Sequence, residues 1–117
     1  MRGLALNKNL TGVGATFVRE DATCPDYRLY SIDDIHPAMQ RMAHGGAAIH
    51  LEVWAVPATG LISVLQGEPA GLCMGKVELA DGREVLGVLG EARLCAGGKE
   101  ITAYGGWRAY MASKEAA

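Results

Sequence analysis

The amino-acid sequence predicts a small, partly antiparallel α+β domain, and three observations carry that expectation. Short alternating segments outnumber helical ones, Asp81-Gly82 separates two apolar runs as a hairpin turn would, and 16 glycines are spread through 117 residues without a period. No strand is regularly followed by a long crossover helix, which argues against a doubly wound parallel sheet. Half of the residues are apolar, enough at this length to close one hydrophobic core, so a single domain over residues 1–117 is expected.

The elements follow in chain order. "TFVRE" and "DYRLYSI" read as strands, with Tyr30 and Ile32 alternating against Leu29 and Ser31. "HPAMQRMAHGG" reads as a loop or one helical turn ended by Gly45-Gly46. In "AAIHLEVWAVP" the residues Ile49, Leu51, Val53 and Ala55 share one strand face, His50, Glu52 and Trp54 share the other, and Pro57 ends the strand. Leu61, Val64 and Leu65 have helical spacing, which predicts a short helix over Ala58 to Leu65 with Thr59 as its N-cap. Strands are predicted at about 75 to 80 and 84 to 94, joined at Asp81-Gly82, where both residues tolerate the positive φ of a tight turn. Trp107 to Lys114 is predicted as a C-terminal helix.

Charge and cysteine content exclude several function classes. The net charge is −2 and the Lys and Arg residues are scattered, so no basic stripe for nucleic acid exists. Cys24, Cys73 and Cys95 are odd in number and lack a Cys-x-x-Cys spacing, which fits a reducing compartment. The opening "MRGLALNKNL" is too short in apolar residues for a signal peptide, and no apolar run reaches the length of a membrane span. A cytoplasmic protein without a membrane partner is expected. His36 and His44 have no ligand-like spacing with His50, so neither a metal nor a cofactor is expected. The single Gly-x-Gly at Gly12 to Gly14 is too weak for a phosphate loop, and the spaced Ser, Gly and Lys residues of an amidase are missing.

Two stretches have both a packing and a functional reading. In "ITAYGGWRAY" the residues Trp107, Tyr110 and Met111 form an apolar stripe that would dock the last helix. Alternatively, Gly105 and Gly106 present backbone N–H groups at a helix start and Arg108 adds a grip on a carboxylate. His50, Glu52 and Trp54 could give a general acid or base beside an aromatic wall, or simply a solvent-facing strand side. Gly71 and Gly75 in "GLCMGKVEL" serve either close packing or close approach of a ligand.

Five segments, "LALNKNLTGVGATFV", "DYRLYSI", "GGAAIHLEVWAVP", "PAGLCMGKVELADGREVLGVLGE" and "KEITAYGGWRAYMAS", resemble the C-terminal domain of allophanate hydrolase in the same order and over nearly the whole chain. The resemblance implies a γ-glutamyl cyclotransferase-like fold, a small mixed, mostly antiparallel β-barrel with a few short helices and a ligand pocket at one end. In the full-length enzymes a separate amidase domain cleaves allophanate, and the C-terminal domain is thought to assist loss of carbon dioxide from the N-carboxylated carbamate. The chain begins at that domain boundary, so it is expected to be either a free-standing relative or the partner of a separate amidase subunit.

Within the resemblance, Asn7 and Leu10 match the family's Leu-Asn-His-Gln-Leu-like stretch, whereas Lys8 stands for the His and Asn9 for the Gln. Lysine can hold a carboxylate, but acting as a near-neutral proton donor requires a large fall in its pKa. The acid used by cyclotransferases aligns with Gln66, leaving Glu68 or Glu52 as substitutes. The candidate catalytic residues are therefore Lys8, Glu52 and Glu68. Asn7, Leu10, Tyr104, Gly105, Gly106 and Arg108 are the candidates for binding a small carboxylate- and amide-bearing substrate. The alternatives are a γ-glutamyl cyclotransferase-like enzyme and a non-catalytic amidase partner, in which Trp107 and Tyr110 would offer an aromatic anchor.

Overall fold

The computed structural model of the protein describes residues 10–116. Among them the order is β1 (Thr16–Ala22), β2 (Tyr27–Ile32), β3 (His36–Arg41), β4 (His50–Ala55), α1 (Ala58–Gln66), β5 (Leu72–Glu78), β6 (Glu84–Gly90), α2 (Ala92–Ala96), β7 (Lys99–Glu100) and α3 (Trp107–Ala116), with a 3-10 turn at Thr102–Tyr104. The strands form three antiparallel ladders, β1–β4, β3–β2–β7 and β5–β6. Single bridges from Thr23 to Leu79 and from Tyr27 to Ala47 tie them together. No continuous ring of paired strands closes among the described residues, so the closed barrel expected from the resemblance is replaced by three ladders around a shared core.

That core contains Tyr27, Leu29, Met39, Ile49, Val77, Ile101, Trp107 and Tyr110, with Met111 packed against it. The apolar stripe of α3 therefore faces inward, and Trp107 and Tyr110 are buried rather than available as a surface anchor. A smaller cluster of Ile32, Ala38 and Cys95 lies under Leu94 of α2. Burial raises the pKa of both the Cys24 and Cys95 thiols.

The joint between ladders forms around Thr23. Thr23 is fully buried; its N–H donates to Ile49 O (3.0 Å), and its Oγ1 accepts from Ile49 N (2.9 Å) and donates to Cys24 O (2.7 Å). On the other side Cys24 N donates to Glu78 O (3.0 Å) and Ala80 N donates to Ala22 O (2.9 Å). Tyr27 reinforces the same joint, its hydroxyl accepting from Glu78 N at 3.0 Å.

Several sequence expectations need correction. "HPAMQR" is strand β3, with Pro37 opposite Ser31. Proline hides this strand from pattern reading, but β3 lies at the edge of its sheet, where a missing N–H is tolerated. The strand expected to run to residue 94 stops at Gly90, and Ala92–Ala96 turn into α2, so that Leu94 and Cys95 reach the second cluster. The hairpin turn uses positive φ only at Gly82 (88°). Leu79 N donates to Arg83 O (2.8 Å) and Gly82 N to Leu79 O (3.0 Å), the bonding of a three-residue loop that ends in a left-handed residue. Helix α1 begins after Pro57 with no side-chain cap, so Thr59 lies inside it, and Gly60 is its one fully buried residue. Gly71 and Gly75 serve packing: an added Cβ would lie 2.9 Å from Leu94 Cβ at the first and 2.6 Å from Leu89 Cδ1 at the second.

The β2–β3 turn places Asp33 and Asp34 both at φ 57°, a left-handed pair suited to tight hairpin turns. Asp34 ties this tip to α3. Its carboxylate pairs with Lys114 Nζ and accepts from the Tyr110 hydroxyl (2.6 Å) and Ser31 Oγ (2.7 Å). The Lys114, Tyr110 and Ser31 bonds hold its carboxyl well below the usual carboxylate range.

Two measurements check these contacts. Thr23→Val keeps the shape but strips Ile49 N of its acceptor, and should cost about 1–3 kcal/mol, read as a lower urea midpoint with an unchanged slope. A depressed carboxyl lends stability that is complete above the unfolded value and fades as pH falls toward the folded one. Asp34→Asn should therefore be less stable than wild type near neutrality, and the gap should narrow as the pH is taken below about 4. A gap constant across that range would remove this role for Asp34.

Candidate functional site

Strand β4 presents His50, Glu52 and Trp54 on one face, as its alternation requires. Pairing with β1 sets Glu20 opposite Glu52 and Ala22 opposite His50. The carboxylate Oε1 of Glu20 lies 3.4 Å from His50 Nε2, with both side chains half exposed. Between Phe17 and Arg19 the register shifts, leaving Val18 as the extra residue, while Phe17 and Trp54 meet edge to face at 5.7 Å.

The Gly105-Gly106 turn brings α3 onto this face. The 3-10 turn is pinned to β2 by Ile101 N to Leu29 O (2.8 Å) and Leu29 N to Thr102 Oγ1 (3.0 Å). Gly105 then adopts φ 80°, and its carbonyl accepts from His50 N at 2.7 Å. Gly106 bridges to His50, and a Cβ there would come within 3.1 Å of His50 O, so a side chain would force the two segments a few tenths of an ångström apart. Residue 108 consequently stands over Glu52.

The Arg108 Nη2 lies 3.3 Å from Glu52 Oε2, and Trp54 Nε1 donates to Glu52 Oε1 at 3.2 Å. The Glu52 side chain is only 6% exposed, whereas that of Arg108 is 44% exposed. A carboxylate so deeply buried demands charge or donors nearby. Here it has a guanidinium on one oxygen and an indole N–H on the other.

Glu52, Trp54 and Arg108 line a cavity of about 610 Å³ whose remaining walls are mostly apolar, among them Leu10, Leu61, Met74 and Trp107. His50 and Arg108 also border a shallower groove, of about 320 Å³, floored by Gly105, Gly106 and Ala109. Of the residues singled out from sequence, Leu10, Glu52 and Arg108 thus meet at one cavity, while Tyr104, Gly105 and Gly106 lie on the neighbouring groove. The Gly105 N–H is already engaged by Thr102 O (3.0 Å), so it is not the ligand donor that the Gly-Gly pair suggested. Glu68 is not among the cavity residues; its Oε2 sits 2.9 Å from His36 Nδ1. Those two buried atoms face each other without an aligned hydrogen bond. Asn7 and Lys8 lie outside the described residues. No three His, Cys, Asp or Glu side chains gather as metal ligands would among the described residues, and no helix there is long and apolar enough to cross a membrane.

The partners of Glu52 were only half legible. Trp54 sits two residues away, where strand alternation places it on the same face. Arg108 arrives through the glycine turn, and Glu20 reaches the neighbouring His50 through register; nothing local in the sequence signals either.

The chain belongs to the allophanate hydrolase C-terminal domain family, which it matches over residues 1–112. It is 30% identical over 118 residues to the urea amidolyase of Lachancea kluyveri, a match covering 95% of this chain but 6% of that protein. The chain therefore spans a small part of the curated relative it matches. Among solved structures, a uropathogenic E. coli-specific protein shares 51% identity and a TM-score of 0.90, with 96% of this chain and 88% of that one covered. Kluyveromyces lactis allophanate hydrolase gives 29% identity and a TM-score of 0.87, covering 97% of this chain and 20% of that one.

Arg108→Ala and Glu52→Gln should each lower stability, by about 1–2 kcal/mol for the arginine given its exposure. In a double-mutant cycle the two effects should couple by about 1 kcal/mol, and strict additivity would mean the pair contributes no mutual energy.

Proposed function

We propose that this domain serves urea-type nitrogen breakdown by assisting loss of carbon dioxide from the N-carboxylated carbamate that an allophanate-cleaving amidase releases. The observation that carries this reading is the buried Glu52 carboxylate held against Arg108 and Trp54 at the edge of a cavity, in a chain of the allophanate hydrolase C-terminal domain family. In the reaction the bond between nitrogen and the departing carboxyl carbon breaks, its electron pair stays on nitrogen, and nitrogen takes up one proton. Carbon dioxide and a carbamate result. In this reading Arg108 or Lys8 binds a substrate carboxylate, and Glu52, having first taken up a proton from solvent, passes it to nitrogen and returns to the carboxylate. The Arg108 guanidinium offsets part of the repulsion between Glu52 and an anionic substrate.

Association with a separate amidase subunit is a compatible second reading, favoured by the small share that this chain covers in its longer relatives. The cyclotransferase alternative draws less support, because Glu68 faces His36 instead of the cavity.

Supplied to an allophanate-cleaving amidase, the purified protein should speed the release of carbon dioxide and ammonia, and Glu52→Gln should lower that acceleration at least tenfold while leaving the fold intact by circular dichroism. Release no faster than with the amidase alone would end the decarboxylation reading. For the cyclotransferase alternative, the product to seek from γ-glutamyl amines is 5-oxoproline.

A further inference from the structure

Two strand edges open onto the cavity. A strand that shows one face to a cavity lines it with every second residue, because its side chains alternate. Here β4 contributes His50, Leu51, Glu52, Val53 and Trp54 in a row, and β6 contributes Val85, Leu86, Gly87 and Val88 in a row. Unbroken runs of this kind mean that the edges of both strands, with their backbone groups, border the space. Among the described residues β4 is laddered only to β1 and β6 only to β5, so each keeps one edge outside any ladder.

The β6 edge can be read residue by residue. Leu79 N donates to Arg83 O and Glu91 N donates to Gly71 O. With the register of the hairpin, the bonded pairs between those two points are Val77–Val85, Gly75–Gly87 and Cys73–Leu89. Leu86 and Val88 fall between them and turn their N–H and C=O groups away from β5. This edge lacks the usual guards: β6 carries no proline, lysine or register shift, and Leu86 at its middle is 65% exposed. An apolar edge left unguarded is a template for pairing with another strand.

The surroundings restrict that strand. The other walls, among them Leu61, Val64, Met74 and Trp107, are mostly apolar, so a run of apolar side chains fits better than an alternation of apolar and polar ones. Glu84 and Glu91, both exposed, stand at the two ends of β6 and favour a basic residue at each end of the run. A second copy of this chain pairing through its own β6 would set Glu84 against the copy's Glu91, which favours a different, basic-flanked partner.

We propose that the cavity is a docking slot for one extended apolar segment, flanked by basic residues, of a partner polypeptide, which adds as a strand to the β6 edge at Leu86 and Val88. The inference requires no contact from Glu52 or Arg108 and no bond-breaking step, so it and the decarboxylation reading can fail separately.

Trp54 and Trp107, the chain's only two tryptophans, both line the cavity, so their fluorescence follows occupancy. The full-length chain is titrated with an end-capped peptide of about five alternating valines and alanines, the usual strand length, between two lysines. One control is the same peptide N-methylated at its central residues; the other carries glutamates in place of the lysines. The lysine-flanked peptide should bind and slow amide exchange at Leu86 and Val88 by about tenfold, more than at Val85 and Gly87, which β5 already pairs. N-methylation deletes N–H donors while keeping the side chains, and should weaken binding by about tenfold. Flanking glutamates should weaken it by about threefold at low salt. Val88→Pro removes an edge N–H without touching a bond to β5, and should weaken the peptide by about tenfold with the fold intact by circular dichroism; Leu86→Pro provides the same test should the first variant not fold. Equal affinity for either control peptide, no added protection at Leu86 and Val88, or a dimer of the protein alone in which those two amides are already protected would overturn the proposal.

Discussion

The architecture depends on the hydrogen bonds gathered around one buried threonine, Thr23. Three short ladders, none wider than three strands, have no continuous sheet to hold them in register, so their relation to one another must come from the joints. At Thr23 the β1–β4 pairing runs one residue further, its N–H and Oγ1 bonding both backbone groups of Ile49, while the backbone of Ala22 and Cys24 bonds the end of the β5–β6 hairpin and joins the two ladders. A hydroxyl is needed because the geometry leaves an Ile49 N–H facing a side chain instead of a carbonyl. In a dry interior an unmet amide costs more than the same bond gains at the surface.

The site inherits its geometry from that joint. Fixing Ile49 fixes where β4 begins, and hence which side chains of His50, Glu52 and Trp54 look toward α3. The helix is placed independently, through the Leu29 anchor of the 3-10 turn and the Gly105 carbonyl on His50 N. Glu52 and Arg108 come together only because both chains of constraint end at His50. Asp34 steadies the far end of the same helix through Lys114 and Tyr110, so α3 is held at both termini.

Much of this was legible in the sequence, and the reasons for the rest are physical. Alternation gave β2, β4 and the faces of Glu52 and Trp54, because a two-residue period survives without knowledge of neighbours. Helical spacing likewise gave α1 and the inward stripe of Trp107, Tyr110 and Met111. Strand β3 was hidden by Pro37, whose meaning depends on whether its strand lies at an edge. Helix α2 was hidden inside an apolar run too short to display a period. The family resemblance suggested a closed barrel, yet closure depends on pairing from one ladder to the next, and among the described residues that pairing reduces to single bridges. At the site, Glu52 and Arg108 were legible as residue types, but their contact across 56 positions rested on tertiary register. The link from Glu68 to His36 had no local signature either.

Helix α1 gives the molecule an uneven rigidity. Among the described residues it inserts Gly60 against Val13 and leaves Ile62 more than half in solvent. Its amides should exchange with deuterium well before those of β2 and β5, whose side chains reach the centre. Since Leu61 and Val64 also form part of the cavity wall, any loosening of this helix would change the width of the cavity.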